Sequence, residues 1–146
     1  MPAAMIDGKA IAEELRARIG AGVADLQETH NLTPGLAVVL VGEDPASQVY
    51  VRNKGVATKA LGMASFEYRF DKDVSEADLI AKVTALNKDD DVHGILVQFP
   101  VPPQISQQTI IETISPSKDV DGLNPVNAGR LASGLDAHTP VSYTHL

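Results

Sequence analysis

At residues 36–41 the sequence reads Leu-Ala-Val-Val-Leu-Val, a continuous apolar run that follows Pro34-Gly35 and ends at Gly42. A strand inside a parallel sheet is covered on both faces, so it carries apolar residues at every position rather than at alternate positions. The run is therefore predicted to be a strand buried on both faces. Parallel sheets occur almost only in α/β proteins, so this stretch decides the fold class.

Helices and strands are predicted to alternate on both sides of this strand. Upstream, a helix that ends near His30 carries one apolar stripe at helical spacing, formed by Ile11, Leu15, Ile19, Val23 and Leu26, and we expect the stripe to be packed. Downstream, the predicted elements are a helix from Asp44-Pro45 to Leu61-Gly62, a strand from Met63 to Phe70, a helix opened by Ser75, a strand from Gly94 to Phe99, a short helix from Gln107 to Ile114, and an irregular loop from Lys118 to Asn127. This order predicts an α/β fold, with three layers (α/β/α) and a mainly parallel sheet.

Composition restricts the function. The chain has 146 residues, about one domain, with 44% hydrophobic and 21% charged residues and no cysteine. A net charge of -7 argues against a nucleic-acid binder, because neutralising phosphates requires clustered Lys and Arg. The absence of cysteine excludes disulfides and thiolate metal sites. No apolar segment approaches the roughly 18 residues of a membrane span, so we expect a cytoplasmic protein with a small-molecule partner.

Three polar side chains on the helix opened by Asp44 are candidate site residues. Ser47, Tyr50 and Lys54 are separated by three and four residues, so they share one helix face. In a parallel α/β sheet the ligand crevice lies beyond the carboxyl ends of the strands, where this helix begins. A lysine there is suited to act as a base, and a tyrosine offers a flat stacking surface. The alternative is an ordinary exposed helix face.

Gln98 stands near the carboxyl end of an otherwise apolar strand and is followed by Pro100, Pro102 and Pro103. A polar amide at this position must be hydrogen-bonded, either to backbone in a structural role or to a ligand across the crevice. Both interpretations stay open. The prolines direct the chain away from the sheet, and one of their peptide bonds is a candidate for the cis form.

The segment Lys118-Asp119-Val120-Asp121-Gly122 is either a turn whose carboxylates bind a ligand or a solvated surface turn. A calcium loop that begins at Asp119 would end on Arg130, where a carboxylate is required, so that interpretation fails. The four histidines, at positions 30, 93, 138 and 145, show no metal-ligand spacing, and no metal site is expected. No glycine-rich nucleotide loop follows a strand, so no cofactor is expected to bind this chain.

Taken together, these segments resemble one family, the bifunctional methylenetetrahydrofolate dehydrogenase/cyclohydrolases. The resemblance spans Met5 to Pro140 and rests on five stretches in register: Val41 to Ser47; Tyr50-Val51 with Lys54; Gly94 to Pro102; Lys118 to Gly122; and Asn127 with Gly129-Arg130-Leu131.

The resemblance implies an enzyme that oxidises 5,10-methylenetetrahydrofolate with NADP or NAD and hydrolyses the methenyl product to 10-formyltetrahydrofolate, for use in purine biosynthesis. It implies that Lys54, Gln98 and Asp121 are catalytic and that the folate is contacted by Ser47, Tyr50, Val97, Gln98, Pro100 and Asp121. Lys54 would be the catalytic lysine, Gln98 would position it, Tyr50 would stack on the aminobenzoyl ring, and Asp121 would bind the pterin. The parent enzyme is expected to be a homodimer whose nicotinamide cofactor is bound by a Rossmann domain that this chain lacks.

The sequence departs from the family pattern at two places. Val56 stands where the family carries a second lysine, two residues after the catalytic one. After Pro140 the residues 141–146 do not match the family, so we expect a folate-binding catalytic domain at 1–140 and a foreign tail produced by truncation or a chimeric reading frame. Two alternatives are a non-catalytic folate-binding fragment and an unrelated α/β scaffold for protein interaction.

Overall fold

The structure, a computed structural model, describes residues 6–137. Its elements, in chain order, are α1 (Gly8–His30), β1 (Gly35–Val41), α2 (Pro45–Ala60), β2 (Ala64–Phe70), α3 (Glu76–Lys88), β3 (Gly94–Gln98), α4 (Gln107–Thr113) and α5 (Pro125–Ala132). Met5, Pro140, His138, His145 and the tail at 141–146 lie outside the described residues. No described helix is long and apolar enough to cross a membrane.

The apolar run at 36–41 forms the central strand of a parallel sheet. The strand order is β2-β1-β3, and β1 pairs in parallel with both neighbours. In this register Leu40 lies beside Arg69 on one side and beside Gln98 on the other. The predicted α/β fold is confirmed, and the carboxyl ends of β1 and β3 lie together at one edge of the sheet.

Alternate residues of the strands face two separate apolar clusters, which produce three layers. On one face, Val38, Leu40 and Leu96 pack with Val51 of α2. On the other face, the strand residues pack with α3 and α4, in a larger cluster formed by Ala37, Val39, Val41, Leu79, Val83, Leu86, Val92, Ile95, Val97, Ile105, Ile110 and Ile114. Because side chains alternate along a strand, a residue's position in β1 or β3 tells which helix layer it faces.

The α1 helix packs against the rest of the domain through only part of its apolar stripe. Val23 is buried at 5% exposure, whereas Ile11, Leu15 and Ile19 are exposed by 56%, 52% and 40%. Gly62 is in contact range of Val23, and Gln27 donates a hydrogen bond to the Gly62 carbonyl at 2.9 Å. Within residues 6–137, the carboxyl-terminal half of α1 therefore packs on the end of α2, while the apolar stripe of its first half stays exposed.

The predicted loop from Lys118 to Asn127 is shorter than expected, because α5 begins at Pro125. The Asn124 side chain accepts a hydrogen bond from the Val126 amide, and Pro125 occupies the first turn. Asparagine at the N-cap and proline at the first helical position are strong helix-start signals. The remaining irregular stretch, 115–124, is the segment that carries Asp121.

Candidate functional site

The candidate site lies where β1 and β3 end and α2 begins. Gly42 turns the chain out of β1 with a φ of +80°, and Asp44 then caps α2 by accepting a hydrogen bond from the Ser47 amide at 2.8 Å. Hydrogen bonds from the amide and the hydroxyl of Ser47 lower the pKa of Asp44. Ser47 itself is 6% exposed. Its observed contacts are thus structural, since they hold the first turn of α2.

Tyr50 and Lys54 are in direct contact on the next turn of α2. The Nζ atom of Lys54 lies 4.7 Å from the centroid of the Tyr50 ring, which is a cation–π contact. The Tyr50 side chain is 50% exposed, and Lys54 is half-buried. Because Lys54 covers part of the ring while half of the side chain remains exposed, the ring offers a free surface for stacking beside an amine.

Gln98 ends β3 on the α2 side of the sheet. It follows Leu96, which packs with Val51 of α2, so alternation directs both side chains to the same face. The Gln98 Nε2 atom donates a hydrogen bond to the Phe99 carbonyl at 2.9 Å. The Gln98 amide is therefore bonded to the backbone, as the structural interpretation requires. Gln98 also lies at the carboxyl-terminal edge of the sheet, where the candidate site is located.

Val97 and Pro100, two other expected folate contacts, are placed differently. Val97 is 1% exposed and belongs to the cluster on the face opposite α2, so its side chain is part of the core. Pro100 is exposed, and the peptide bond between Phe99 and Pro100 is cis.

Asp121 is half-buried in the segment between α4 and α5. Burial raises its pKa, the positive charge of Lys54 lowers it, and the negative charge of Asp119 raises it; the net effect is a raised pKa. The structure therefore brings Asp121 within electrostatic reach of Lys54, although the two residues are 67 positions apart in the chain. A half-buried carboxylate beside an amine and an open aromatic ring can bind a flat polar heterocycle.

The departure at Val56 lies away from this arrangement. Residues two positions apart on an α-helix point about 200° away from each other. Val56 is accordingly 65% exposed, while Lys54 faces Tyr50 and Asp121. Val56 therefore lies on a different face of α2 from Lys54.

Three buried polar residues near Asp121 were not expected from the sequence. Asp119, Asn124 and Asn127 are 3%, 4% and 5% exposed, and both asparagines donate a hydrogen bond to the Asp119 carboxylate. One local signal was present, since Asn124-Pro125 has the same helix-start pattern as Asp44-Pro45.

Two cavities in the described structure, of about 420 and 530 Å³, lie beside α5 and on the opposite flank of α2, and neither is lined by Tyr50, Lys54 or Asp121. Among residues 6–137, no group of three or more His, Cys, Asp or Glu side chains is arranged to hold a metal ion.

Replacing Asp121 with asparagine should raise the free energy of unfolding at pH 7, by less than about 1 kcal/mol because the group is only partly buried. The raised pKa means that the folded chain favours the protonated carboxyl. The stabilisation that the protonated Asp121 carboxyl contributes is complete when the pH is below the pKa of Asp121 in the unfolded chain. It is lost as the pH rises through the pKa of Asp121 in the folded chain. The advantage of Asp121→Asn should thus grow between pH 4 and pH 7 in urea unfolding. The exposed Asp90→Asn is the control, and an equal pH dependence in both variants would contradict the prediction.

Comparison with known proteins shows which family this sequence is similar to. The family model described as tetrahydrofolate dehydrogenase/cyclohydrolase, catalytic domain, matches residues 6–121. The bifunctional protein FolD of Parvibaculum lavamentivorans is 63% identical over 142 residues, which cover 97% of this chain and 48% of that protein. The FolD protein of Caulobacter vibrioides is 58% identical over 142 residues, with the same shares covered. The chain spans about half the length of the curated relatives it matches.

Solved structures of this kind have the same fold. A 5,10-methylenetetrahydrofolate dehydrogenase from Bombyx mori superimposes with a TM-score of 0.91 at 38% identity, covering 95% of this chain and 48% of that chain. The FolD enzyme of Trypanosoma brucei, solved with NADP and an inhibitor, gives a TM-score of 0.84 at 37% identity, covering 90% of this chain and 45% of that chain.

Proposed function

Because the chain belongs to the tetrahydrofolate dehydrogenase/cyclohydrolase family, we propose that it is the folate-binding catalytic part of an enzyme that interconverts tetrahydrofolates. That enzyme oxidises 5,10-methylenetetrahydrofolate to the methenyl compound with NADP and hydrolyses the methenyl compound to 10-formyltetrahydrofolate. The names of the relatives support the two reactions. The observation that carries the proposal is the contact of Lys54 with the Tyr50 ring, with Asp121 within electrostatic reach of Lys54.

The substrate has two aromatic parts that suit these side chains. The pterin edge carries an N–H and an amino group side by side, which a carboxylate such as that of Asp121 accepts as paired hydrogen bonds. The aminobenzoyl ring is flat and apolar, so it stacks on the exposed part of the Tyr50 ring. The reactive carbon bridges the two parts, and Lys54, which contacts the Tyr50 ring and lies within electrostatic reach of Asp121, is the amine available to it.

Hydrolysis of the methenyl compound requires a base at the bridging carbon. Water adds to the cationic carbon and gives up a proton, for which a neutral Lys54 amine is the acceptor. The bond from that carbon to N5 then breaks, N5 takes up a proton, and the formyl group stays on N10. Gln98, an uncharged amide on the α2 side of the sheet, adds no charge of its own to the site.

The turn after β1 does not suit the phosphates of the nicotinamide cofactor, which accepts the hydride in the oxidation. A dinucleotide phosphate is usually held by the free amides at a helix start after a glycine-rich turn. At the start of α2, the turn after β1 instead carries the Asp44 carboxylate, which is bonded to the Ser47 amide. No step of the oxidation is therefore assigned to this chain beyond holding the folate.

The decisive experiment follows the absorbance of methenyl-tetrahydrofolate in the presence of the 146-residue chain without nicotinamide. We expect loss of absorbance faster than the spontaneous rate. Tyr50→Ala should weaken binding roughly tenfold by removing the stacking surface, while Tyr50→Phe, which keeps the ring, should bind like the unchanged chain. Binding without turnover would instead support a non-catalytic folate-binding fragment. Absence of both binding and turnover would refute the proposal.

Four further expectations follow from the resemblance and belong to the proposal. They are the use of NADP rather than NAD, a homodimeric parent enzyme, a cytoplasmic location and a supply of formyl groups for purine biosynthesis. The NADP in the Trypanosoma brucei structure supports the first of these. The acidic composition and the absence of cysteine support the third.

A further inference from the structure

Asp119 is a buried carboxylate two residues before Asp121. It is 3% exposed, and its Oδ2 atom accepts hydrogen bonds from the Asn124 amide at 2.8 Å and from the Asn127 Nδ2 at 3.0 Å. No lysine or arginine pairs with it among residues 6–137. A buried carboxylate held only by neutral donors is costly, so a role beyond packing must be considered.

The two asparagines connect this carboxylate to the rest of the domain. Asn124 Nδ2 donates to the Ile114 carbonyl at 3.0 Å, and Asn127 Nδ2 also donates to the Pro116 carbonyl at 2.9 Å. The bond from Asn124 back to Asp119 closes a short loop that contains residues 120–123. Asp121 lies inside that loop, and the backbone of the loop turns at Gly122, which has a φ of +65°.

The start of the same loop is attached to the sheet. The Ile95 amide donates to the Lys118 carbonyl at 2.7 Å, and Ile95 and Asp119 form a parallel bridge. Since the two segments run in the same direction, the chain from Asp119 to Asp121 advances along β3 towards its carboxyl end. The bridge and the Asp119 bonds thus determine together where Asp121 stands relative to Lys54.

We propose that Asp119 is a positioning residue of the folate site, whose buried carboxylate holds the turn at Asp121-Gly122 so that Asp121 is aimed at the pterin before the substrate arrives. The inference rests on the proposed function. Holding the turn in advance lowers the entropy that binding must otherwise supply. Asp119 does not touch the substrate; it acts through Asp121.

The experiment compares variants of the 146-residue chain in binding of methenyl-tetrahydrofolate. Asp119→Ala and Asn127→Ala should each weaken binding roughly tenfold, and the loss in the double variant should be smaller than the product of the two single losses, because both changes break the hydrogen bond between Asp119 and Asn127. Asp119→Asn should stay within about threefold, because its amide oxygen can accept both bonds. Val83→Ala, a core change on α3, should lower stability yet leave binding unchanged.

A second readout tests whether the Asp119 and Asp121 carboxylates lie close together in the turn. The charge of Asp119 raises the pKa of Asp121. In Asp119→Asn the carboxyl carbon of Asp121, followed by NMR, should therefore titrate at lower pH, whereas Val83→Ala should not move it.

Three outcomes would count against the inference. Normal binding by Asp119→Ala would overturn the positioning role alone. An equal loss in Val83→Ala would show that binding follows stability, and would overturn that role too. Failure of the unchanged chain to bind would overturn the proposed function itself, and with it the folate role of Asp119.

Discussion

Replacing Lys54 with methionine should reduce the hydrolysis of methenyl-tetrahydrofolate by at least about 100-fold, the lower range for loss of a positioned general base. Methionine keeps the length and flexibility of the side chain but has no proton acceptor for the attacking water. The rate is measured as the decay of substrate absorbance after the spontaneous rate is subtracted. Binding should change far less, because Tyr50 and Asp121 still hold the two ends of the substrate.

Lys54→Arg is the matched control for this prediction. Arginine keeps the positive charge over the Tyr50 ring and beside Asp121, but it stays protonated at every accessible pH. If Lys54 acts as a base, the arginine variant should be nearly as inactive as the methionine variant. Substantial activity in Lys54→Arg would show that the residue acts through its charge alone, and the base mechanism would have to be abandoned.

The layers and the sheet were predictable because their signals are local. The run at 36–41 requires cover on both faces, and the structure supplies it with α2 on one side and α3 and α4 on the other. The start of α2 was predicted correctly from Asp44-Pro45. In each case the residues that carry the pattern are also the residues that make the observed contacts.

The errors arose where a local pattern was extended too far or overlooked. The α1 stripe predicted a helix correctly, but periodicity does not tell what covers the apolar face, and Ile11, Leu15 and Ile19 remain exposed. The first turn of α5 was counted as loop, because the glycine and proline content around it outweighed the N-cap signal of Asn124-Pro125.

The site was predictable only in part. Helical spacing placed Tyr50 and Lys54 on one face, and their 4.7 Å contact confirms it. The approach of Asp121 to Lys54 depends on the path of the chain after β3, which no local pattern specifies. For Asp121 the resemblance to a family provided what spacing could not. The catalytic and binding roles of these residues stay predictions, which the substitutions at Lys54 and Tyr50 test.

Replacing Gly35 with alanine should lower the free energy of unfolding by about 3 kcal/mol or more, the upper range for forced overpacking. A Cβ atom at Gly35 would lie 2.0 Å from the Asp91 carbonyl oxygen and 2.9 Å from the Phe66 ring. The backbone at Asp91 cannot move away freely, because the His93 amide donates to the Gly35 carbonyl at 2.8 Å. Unfolding in urea, followed by circular dichroism, measures the loss.

Gly22→Ala is the matched control, since it makes the same chemical change where there is space. Gly22 lies inside α1, and a Cβ atom added there would meet no atom within 4 Å, so alanine should stabilise the chain by up to about 1 kcal/mol through its higher helix propensity. Changes of opposite sign in the free energy of unfolding of the two variants would show that the starts of β1 and β3 are held together by close backbone contact at Gly35. If Gly35→Ala lowers the free energy of unfolding by less than about 1 kcal/mol, the segment before β3 can shift to accept the added methyl group. In that case β3 would hold the turn after Asp119 less rigidly than the hydrogen bonds between them imply.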